Sequence, residues 1–511
     1  MVLAPSICAQ NYVVERHLCT KTPYEQRQSL SRGNSPTYLP KYESSQPLFT
    51  YWLARHGTRW PTKKRMQQIQ ELQNVFKLAG QDAKQSHSWI NKWTNPFKDS
   101  IHLAGHLHPK GVKEMQHMGQ DFKKYLVAIQ DQDLLTSVEV HATAKARTQD
   151  SAKAFMQGLY GGTHTYTDSQ GKGGITGHDR VVNVTKHGCN TTYTIHARPK
   201  HQDPVLRFFD MCPAYDEYVA HIDADFLDAW KLQEWCAHIP RLAEGLGVDP
   251  GMLTGRHVDA LWHLCQQEAG LWSITNRACS LFPPQEAQQM EWVNDVQLFM
   301  RKGAASPVAY HMAAPLLADI ATSLQEAAAG TGRSGLHAKL SFAHAETIIP
   351  LACLLGLFGT NSNQPLPQDQ QCNATVDDLP EQSSCVHQQK TDADVQLEGY
   401  LRDSNSTYTK GEAMQSWAPP LPKPPKPREW HGSMIAPYGA NIQLNLYPCQ
   451  ESQTLATKKQ GGGHCIEVLY NGMRVELPGC HHTQGFCSLK SFLEITQSMR
   501  CPAAFNHACR I

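Results

Sequence analysis

Residues 48–61, Leu-Phe-Thr-Tyr-Trp-Leu-Ala-Arg-His-Gly-Thr-Arg-Trp-Pro, constrain this chain more than any other stretch. The apolar run reads as a buried strand that delivers Arg55, His56, Gly57, Arg59 and Pro61 at its carboxyl end. Open α/β sheets place their sites at that edge. A histidine that attacks phosphorus must be neutral, and two guanidinium groups within a few residues disfavour its protonated form. The same arginines offer planar forks that match phosphoryl oxygens and stabilise charge developing on them. Gly57 permits close backbone approach, and Pro61 fixes the turn that leads away.

Two later stretches have the same form. Residues 138–142 alternate as a strand, a loop bearing Lys145 and Arg147 follows, and Ala152, Phe155, Met156 and Leu159 then recur at helical spacing. Gly161-Gly162 closes that helix. Arg147 lies between a strand end and a helix N-terminus, a place suited to an anion. Residues 340–347, Leu-Ser-Phe-Ala-His-Ala-Glu-Thr, end a third strand on His344 and Glu346, and the apolar helix beyond is expected to carry Pro350 in its first turn. His344 can donate to a phosphate oxygen. Glu346 can serve as general acid, because an anionic substrate beside it raises its pKa. His-x-Glu also opens the zinc deaminase signature, but the later Pro-Cys-x-x-Cys is missing, which excludes that reading.

Arg55-His-Gly-Thr-Arg-Trp-Pro61 resembles the signature of the histidine acid phosphatases, the branch 2 histidine phosphatases that work through a phosphohistidine. Leu103-x-Gly105-x-Leu107-x-x-Lys110-Gly111 is similar to the segment that follows the nucleophile in that family. His344-Ala-Glu346 replaces the commoner His-Asp. With Ala142-Thr-Ala-Lys-Ala-Arg-Thr148 and Ile435-Ala-Pro-Tyr-Gly-Ala-Asn441, it closely resembles the multiple inositol polyphosphate phosphatases. The likeness runs from about residue 19 to 480 and is weakest in 361–430. It implies a phosphoglycerate mutase-like α/β core with a central mixed sheet, helices on both faces, and an inserted, mainly α-helical cap. It also implies no metal or other cofactor, and hydrolysis of inositol hexakisphosphate, lower inositol phosphates and bisphosphoglycerate. His56 would be the nucleophile, Arg55, Arg59, Arg147 and His344 the phosphate-binding groups, and Glu346 the acid. The competing readings are a broad-specificity acid phosphatase and a non-catalytic polyphosphate-binding relative.

A formal net charge of +1 gives no bulk attraction for nucleic acid or an anionic membrane, so the expected partner is a small polyphosphate met by local charge. Lys63, Lys64 and Arg65, opening a helix over 62–80, and Lys145 are candidates for a rim that holds further phosphates. Cations at a helix N-terminus oppose the macrodipole, so plain solvated charge is the slightly favoured reading there. Sixteen cysteines beside sequons at Asn183, Asn190, Asn373 and Asn405 argue for the secretory pathway, with secretion or an organelle lumen as destination. Residues 1–9 nevertheless lack the basic region of a signal peptide. Spacing suggests local bridges Cys372–Cys385, Cys480–Cys487 and Cys501–Cys509, while Cys353 reads equally well as a buried thiol. The longest apolar run, Ile348 to Phe358, is too short to insert across a bilayer.

The expected organisation is an N-terminal surface arm over 1–46, a first core part over 47–162, an α-helical cap over 163–334, and a second core part over 335–511. The last part carries a loop insertion at 361–430, with an extended proline-rich run over 418–428, and a disulfide-pinned tail. Trp230, Trp235, Trp262 and Trp292 are expected in a core. Asn471-Gly472 between two alternating runs predicts a type I′ hairpin.

Overall fold

In the computed structural model of the chain, the described residues are 13–25, 46–130, 133–167, 179–223, 227–358, 430–449, 463–480 and 485–510. Asn373, Asn405, Cys372, Cys385 and the proline-rich run lie outside them. The strands, in chain order, are β1 (Phe49–Arg55), β2 (Val138–Ala142), β3 (Thr163–Tyr166), β4 (Arg180–Lys186), β5 (Cys189–His196), β6 (Ala338–Ala343), β7 (Asn441–Pro448), β8 (His464–Tyr470), β9 (Met473–Arg474) and β10 (Phe486–Ser488). They form one mixed sheet in the order β10-β8-β7-β1-β6-β2-β5-β4-β3, with β9 on β8.

The middle of that sheet sets up everything else. β1 is buried along its whole length, and it pairs in parallel with β6, which pairs in parallel with β2. The register sets Arg55 opposite Ala343, and Ala142 opposite Phe342. Three strands far apart in sequence therefore end side by side at one edge.

Helices cover both faces, as the fold class anticipated. We number them α1 (Lys63–Leu78), α2 (Pro109–Phe122), α3 (Ala146–Tyr160), α4 (Pro213–Ile222), α5 (Gly255–Trp272), α6 (Pro284–Lys302), α7 (Ala314–Ala329), α8 (Ala345–Leu354) and α9 (Pro502–Cys509). Period-2 alternation along β1 splits its side chains between two cores. Phe49, Tyr51 and Leu53 pack with Leu317 and Ile320 of α7 and Ile348 and Leu351 of α8. Trp52 and Ala54 pack with Met115 and Phe122 of α2 and Phe155 and Met156 of α3. Among the described residues no helix is long and apolar enough to cross a membrane.

Several expectations are corrected. Residues 163–196, part of the helical cap expected over 163–334, contribute β3, β4 and β5 to the main sheet, and α7, near the end of the expected cap, packs directly on β1. Short exposed strands give a weak periodic signal, and Asn183 and Asn190 sit on them exposed. Residues 18–24 do not ride on the surface: Leu18, Cys19, Thr22 and Tyr24 are buried. α8 begins at Ala345, so Pro350 falls in its second turn and leaves the Glu346 carbonyl without the usual i+4 amide donor. Cys501 caps α9 while Cys509 ends it, a separation of about 12 Å along a helix, beyond the roughly 7 Å that a disulfide spans. Cys509 instead bonds Cys212, and Cys501 is a buried thiol. Cys480–Cys487 forms as expected, joined by Cys265–Cys279 and Cys449–Cys465, while Cys353 is buried as a thiol. The four tryptophans are buried, and Asn471 and Gly472 both take positive φ, as a type I′ turn requires.

The loop after β1 is seated on α2. A Cβ on Gly111 would lie 2.1 Å from the Thr58 carbonyl oxygen, so only glycine allows this approach. One turn on, Glu114 accepts from Thr58 N and Thr58 Oγ1, both at 2.8 Å. Burial lifts the Glu114 pKa from 4.5 to about 7 against those two bonds. With the folded value above the unfolded one, the contribution of this group to stability is complete below about pH 4.5 and is lost as pH rises through about 7. Glu114→Gln should therefore flatten the fall in stability across that window by up to about 3 kcal/mol, read from denaturant midpoints at pH steps. An unchanged profile would sink this assignment.

Candidate active site

The three neighbouring strand ends deliver the site. β1 carries Arg55 and then His56, β2 leads through Thr143 to Arg147 in the first turn of α3, and β6 ends at His344, the N-cap of α8, with Glu346 just beyond. His56 is buried, and its Nδ1 lies 2.9 Å from the Gly57 carbonyl oxygen. A carbonyl only accepts, so Nδ1 carries the proton and Nε2 keeps its lone pair. Burial, then Arg147, Arg55 and Arg59, hold the His56 pKa well below 6.5. The imidazole is neutral, with one nitrogen available for bond formation.

The arginines are held largely by groups that do not cancel their charge. Arg55 Nη1 donates to the carbonyls of Thr20 at 2.7 Å and Ala436 at 2.6 Å, and its guanidinium lies 4.6 Å from the Tyr438 ring centroid. Arg59 Nη1 donates to the Trp60 carbonyl at 2.8 Å. Burial and the neighbouring Arg59 lower the Arg147 pKa to about 10. Among the described residues, the Nε groups of Arg55, Arg59 and Arg147 are buried without a hydrogen-bond partner. Unspent buried donors of this kind suit an anion.

His344 lies with its ring centroid 5.7 Å from that of His56. Its Nδ1 is 3.2 Å from Arg147 Nη2, and its Nε2 is 2.8 Å from Thr143 Oγ1 and 3.1 Å from Arg207 Nη1. Burial and Arg147 keep the ring unprotonated. Arg147 and Arg207 can only donate, and a neutral imidazole has one accepting nitrogen, so one of the two guanidinium N–H groups finds no acceptor at the ring and is open to an anion.

Sequence reasoning missed Arg207. It stands in the loop between β5 and α4, buried, paired with Asp210, and stacked toward Phe209. Lys302, at the end of α6, was also missed, and its Nζ donates to Glu346 Oε1 at 2.7 Å. Burial alone would raise the Glu346 pKa, but the Lys302 ammonium beside it holds it well below the ordinary carboxylate range. A pocket that shares Arg59 with the site is lined by Lys21, in the supposed arm, with Arg65, Gln267, Asn294 and Lys302, while His56, Arg147 and His344 are not among its lining residues. Of the expected rim, Arg65 is in that pocket, tied to Asp259 of α5, and Lys145 is half-buried beside Arg207 and Arg147. Lys63 and Lys64 are exposed on α1 and are not among its lining residues.

One group of described residues has ligand atoms close enough to hold a cation: Glu291, Asp295 and His431, within 4.8 Å of one another. Glu291 accepts from Ser433 Oγ at 2.7 Å and Asp295 from Gly432 N at 2.9 Å, which ties residues 430–435 to α6.

The human multiple inositol polyphosphate phosphatase 1 is 23% identical over 360 residues, 66% of this chain and 69% of the relative. Its namesake from Dictyostelium discoideum is 22% identical over 480 residues, 90% of this chain and 67% of the relative. The crystal structure of the phytase from D. castellii has a TM-score of 0.65 at 16% identity, covering 98% of this chain and 88% of the phytase. The Bifidobacterium longum multiple inositol polyphosphate phosphatase in complex with inositol hexasulfate has a TM-score of 0.56 at 16% identity, covering 97% and 100%. At that identity the likeness speaks for the fold. A family model matches residues 49–408, and with it the neutral histidine among arginines at the end of β1 acquires its lineage: the chain belongs to the histidine phosphatase superfamily, branch 2.

Proposed function

We propose that this chain hydrolyses phosphomonoesters of inositol polyphosphates, inositol hexakisphosphate and its lower derivatives foremost, through a phosphohistidine on His56. The observation that carries the proposal is His56 itself: neutral, Nδ1 committed to Gly57, Nε2 free, and Arg55, Arg59 and Arg147 around it with donors to spare. A phosphoryl group held by those arginines, Arg207 and His344 meets the Nε2 lone pair. The N–P bond forms as the P–O ester bond breaks, and Glu346 gives its proton to the departing inositol oxygen. Water then attacks phosphorus, the N–P bond breaks, the Glu346 carboxylate takes the proton from water, and phosphate leaves.

The preference for several phosphates rests on the pocket. Lys21 and Arg59 have no ion-pair partner among the described residues, and Arg65 and Lys302 share the same walls. A broad-specificity acid phosphatase does not need that many cations. Four disulfides among the described residues and exposed sequons at Asn183 and Asn190 support maturation in the secretory pathway, with release or retention in a lumen.

His56→Ala should lose turnover by at least about 10⁴-fold and leave no acid-quenched phosphoprotein. A variant that still traps phosphate would refute the assignment. Because His56 and His344 are held neutral far below 6.5, the acid limb of kcat/KM should not appear near that value. An acid limb at the ordinary histidine value would mean that the arginines do not control the nucleophile. Glu346→Gln should cost about 10²–10⁴-fold on inositol phosphates and far less on an aryl phosphate, whose leaving group needs no proton. Equal loss on both would remove Glu346 from the acid role.

A further inference from the structure

Glu346 presents a difficulty. Lys302 Nζ sits 2.7 Å from Glu346 Oε1, so the carboxyl is ionised in the resting site and holds no proton to give. The groups facing it are Lys302 from α6, His344 from the end of β6, Arg55 from β1, Arg147 from α3 and Tyr215 from α4. Arg55 is pinned by two carbonyls, and Arg147 is engaged with His344 beside the nucleophile. Lys302 differs from these. It ends its helix on a flexible four-carbon stem, and it lines the pocket together with Lys21, Arg59 and Arg65. Its ammonium therefore stands between the acid and the space that non-reacting phosphates would occupy.

We propose that Lys302 senses a second phosphate: a non-reacting phosphate of the substrate draws its ammonium off Glu346, and the released carboxyl takes up from solvent the proton that it passes to the leaving oxygen. The inference rests on Glu346 being the proton donor to a polyphosphate substrate. The exchange is easy in the required direction. The Glu346 side chain is 36% exposed and the Lys302 side chain 21%, and lysine–carboxylate pairs that water still reaches are weak. A phosphate with two charges competes well for the same ammonium. At the same time the reacting phosphate neutralises Arg55 and Arg147, which removes the remaining field that keeps Glu346 ionised. A monophosphate ester fills only the reacting position and leaves Lys302 in place. Selectivity for polyphosphates then appears in kcat as well as in KM. Lys302 acts here as a positioning residue, since it moves no proton itself.

Inositol hexasulfate has no oxygen that titrates near pH 5–7, so protons taken up when it binds must be taken by the protein. Calorimetry at about pH 5.5, in buffers of differing ionisation enthalpy, should show uptake of up to about one proton by the wild type. Lys302→Arg, which keeps a cation, should retain the uptake. Lys302→Met should take up the proton already on binding inorganic sulfate, which fills only the reacting position and gives no uptake in the wild type, and Glu346→Gln should show none with either anion. Equal uptake in wild type and Glu346→Gln, or no uptake by Lys302→Met with inorganic sulfate, overturns the proposal. So does a wild type that fails to bind the hexasulfate. Trapping of phospho-His56 from an aryl phosphate reports on the histidine chemistry separately, so loss of the sensor and loss of the nucleophile remain distinguishable.

Discussion

Guanidinium groups gathered around one neutral imidazole repel one another, and the architecture of this protein is largely an answer to that repulsion. The direct answer, a carboxylate beside each arginine, would occupy the place meant for phosphate. Arg55 shows the alternative. Two backbone carbonyls and the face of Tyr438 fix the guanidinium and solvate it partly, yet leave its full charge in place. The charge is oriented without being spent, and the burial that lowers the pKa of His56 is achieved at the same time.

Those carbonyls come from opposite ends of the chain. Thr20 belongs to the N-terminal segment and Ala436 to the stretch before β7, and the two are strapped together by Tyr438 N donating to the Thr22 carbonyl and Asn441 Nδ2 donating to Tyr24 Oη. Gly439 N in turn donates to the His56 carbonyl. The apparent arm is therefore a structural wall of the site, buried for that reason. Its polar composition describes what it bonds to, and not what it faces.

How much of this was legible follows from how each residue is placed. His56, Arg147, His344 and Glu346 stand at or just after strand ends, where a buried run stopping at polar residues is visible along a single segment. Their meeting follows from the parallel order β1-β6-β2. Arg207 and Lys302 carry no such local mark. Arg207 occupies an irregular loop, and its meaning depends on His344, 137 residues away. Lys302 sits where the helix macrodipole alone favours a cation, so its presence there has an ordinary explanation until the partner is seen. β3, β4 and β5 were read as cap because alternating polar strands on one side of a sheet resemble loops when no neighbour is known. Cys509 was matched to its nearest cysteine because loop length was available and helix geometry was not.

A nucleophile and a general acid place opposite demands on the same electrostatic field. Cations that keep His56 free of a proton also strip the proton from Glu346, and no fixed arrangement of charge satisfies both groups in an empty site. The conflict is resolved only by adding negative charge after the nucleophile is set, and the substrate is the natural source of it. An ester with one phosphate supplies enough to neutralise the arginines beside His56. The lysine beside Glu346 needs a further anion, which a polyphosphate carries and a monophosphate does not. On the proposed mechanism, the acid is withheld until a substrate of the right charge has arrived, and the Glu346 carboxylate of His-Ala-Glu is already within hydrogen-bond range of a cation from another helix.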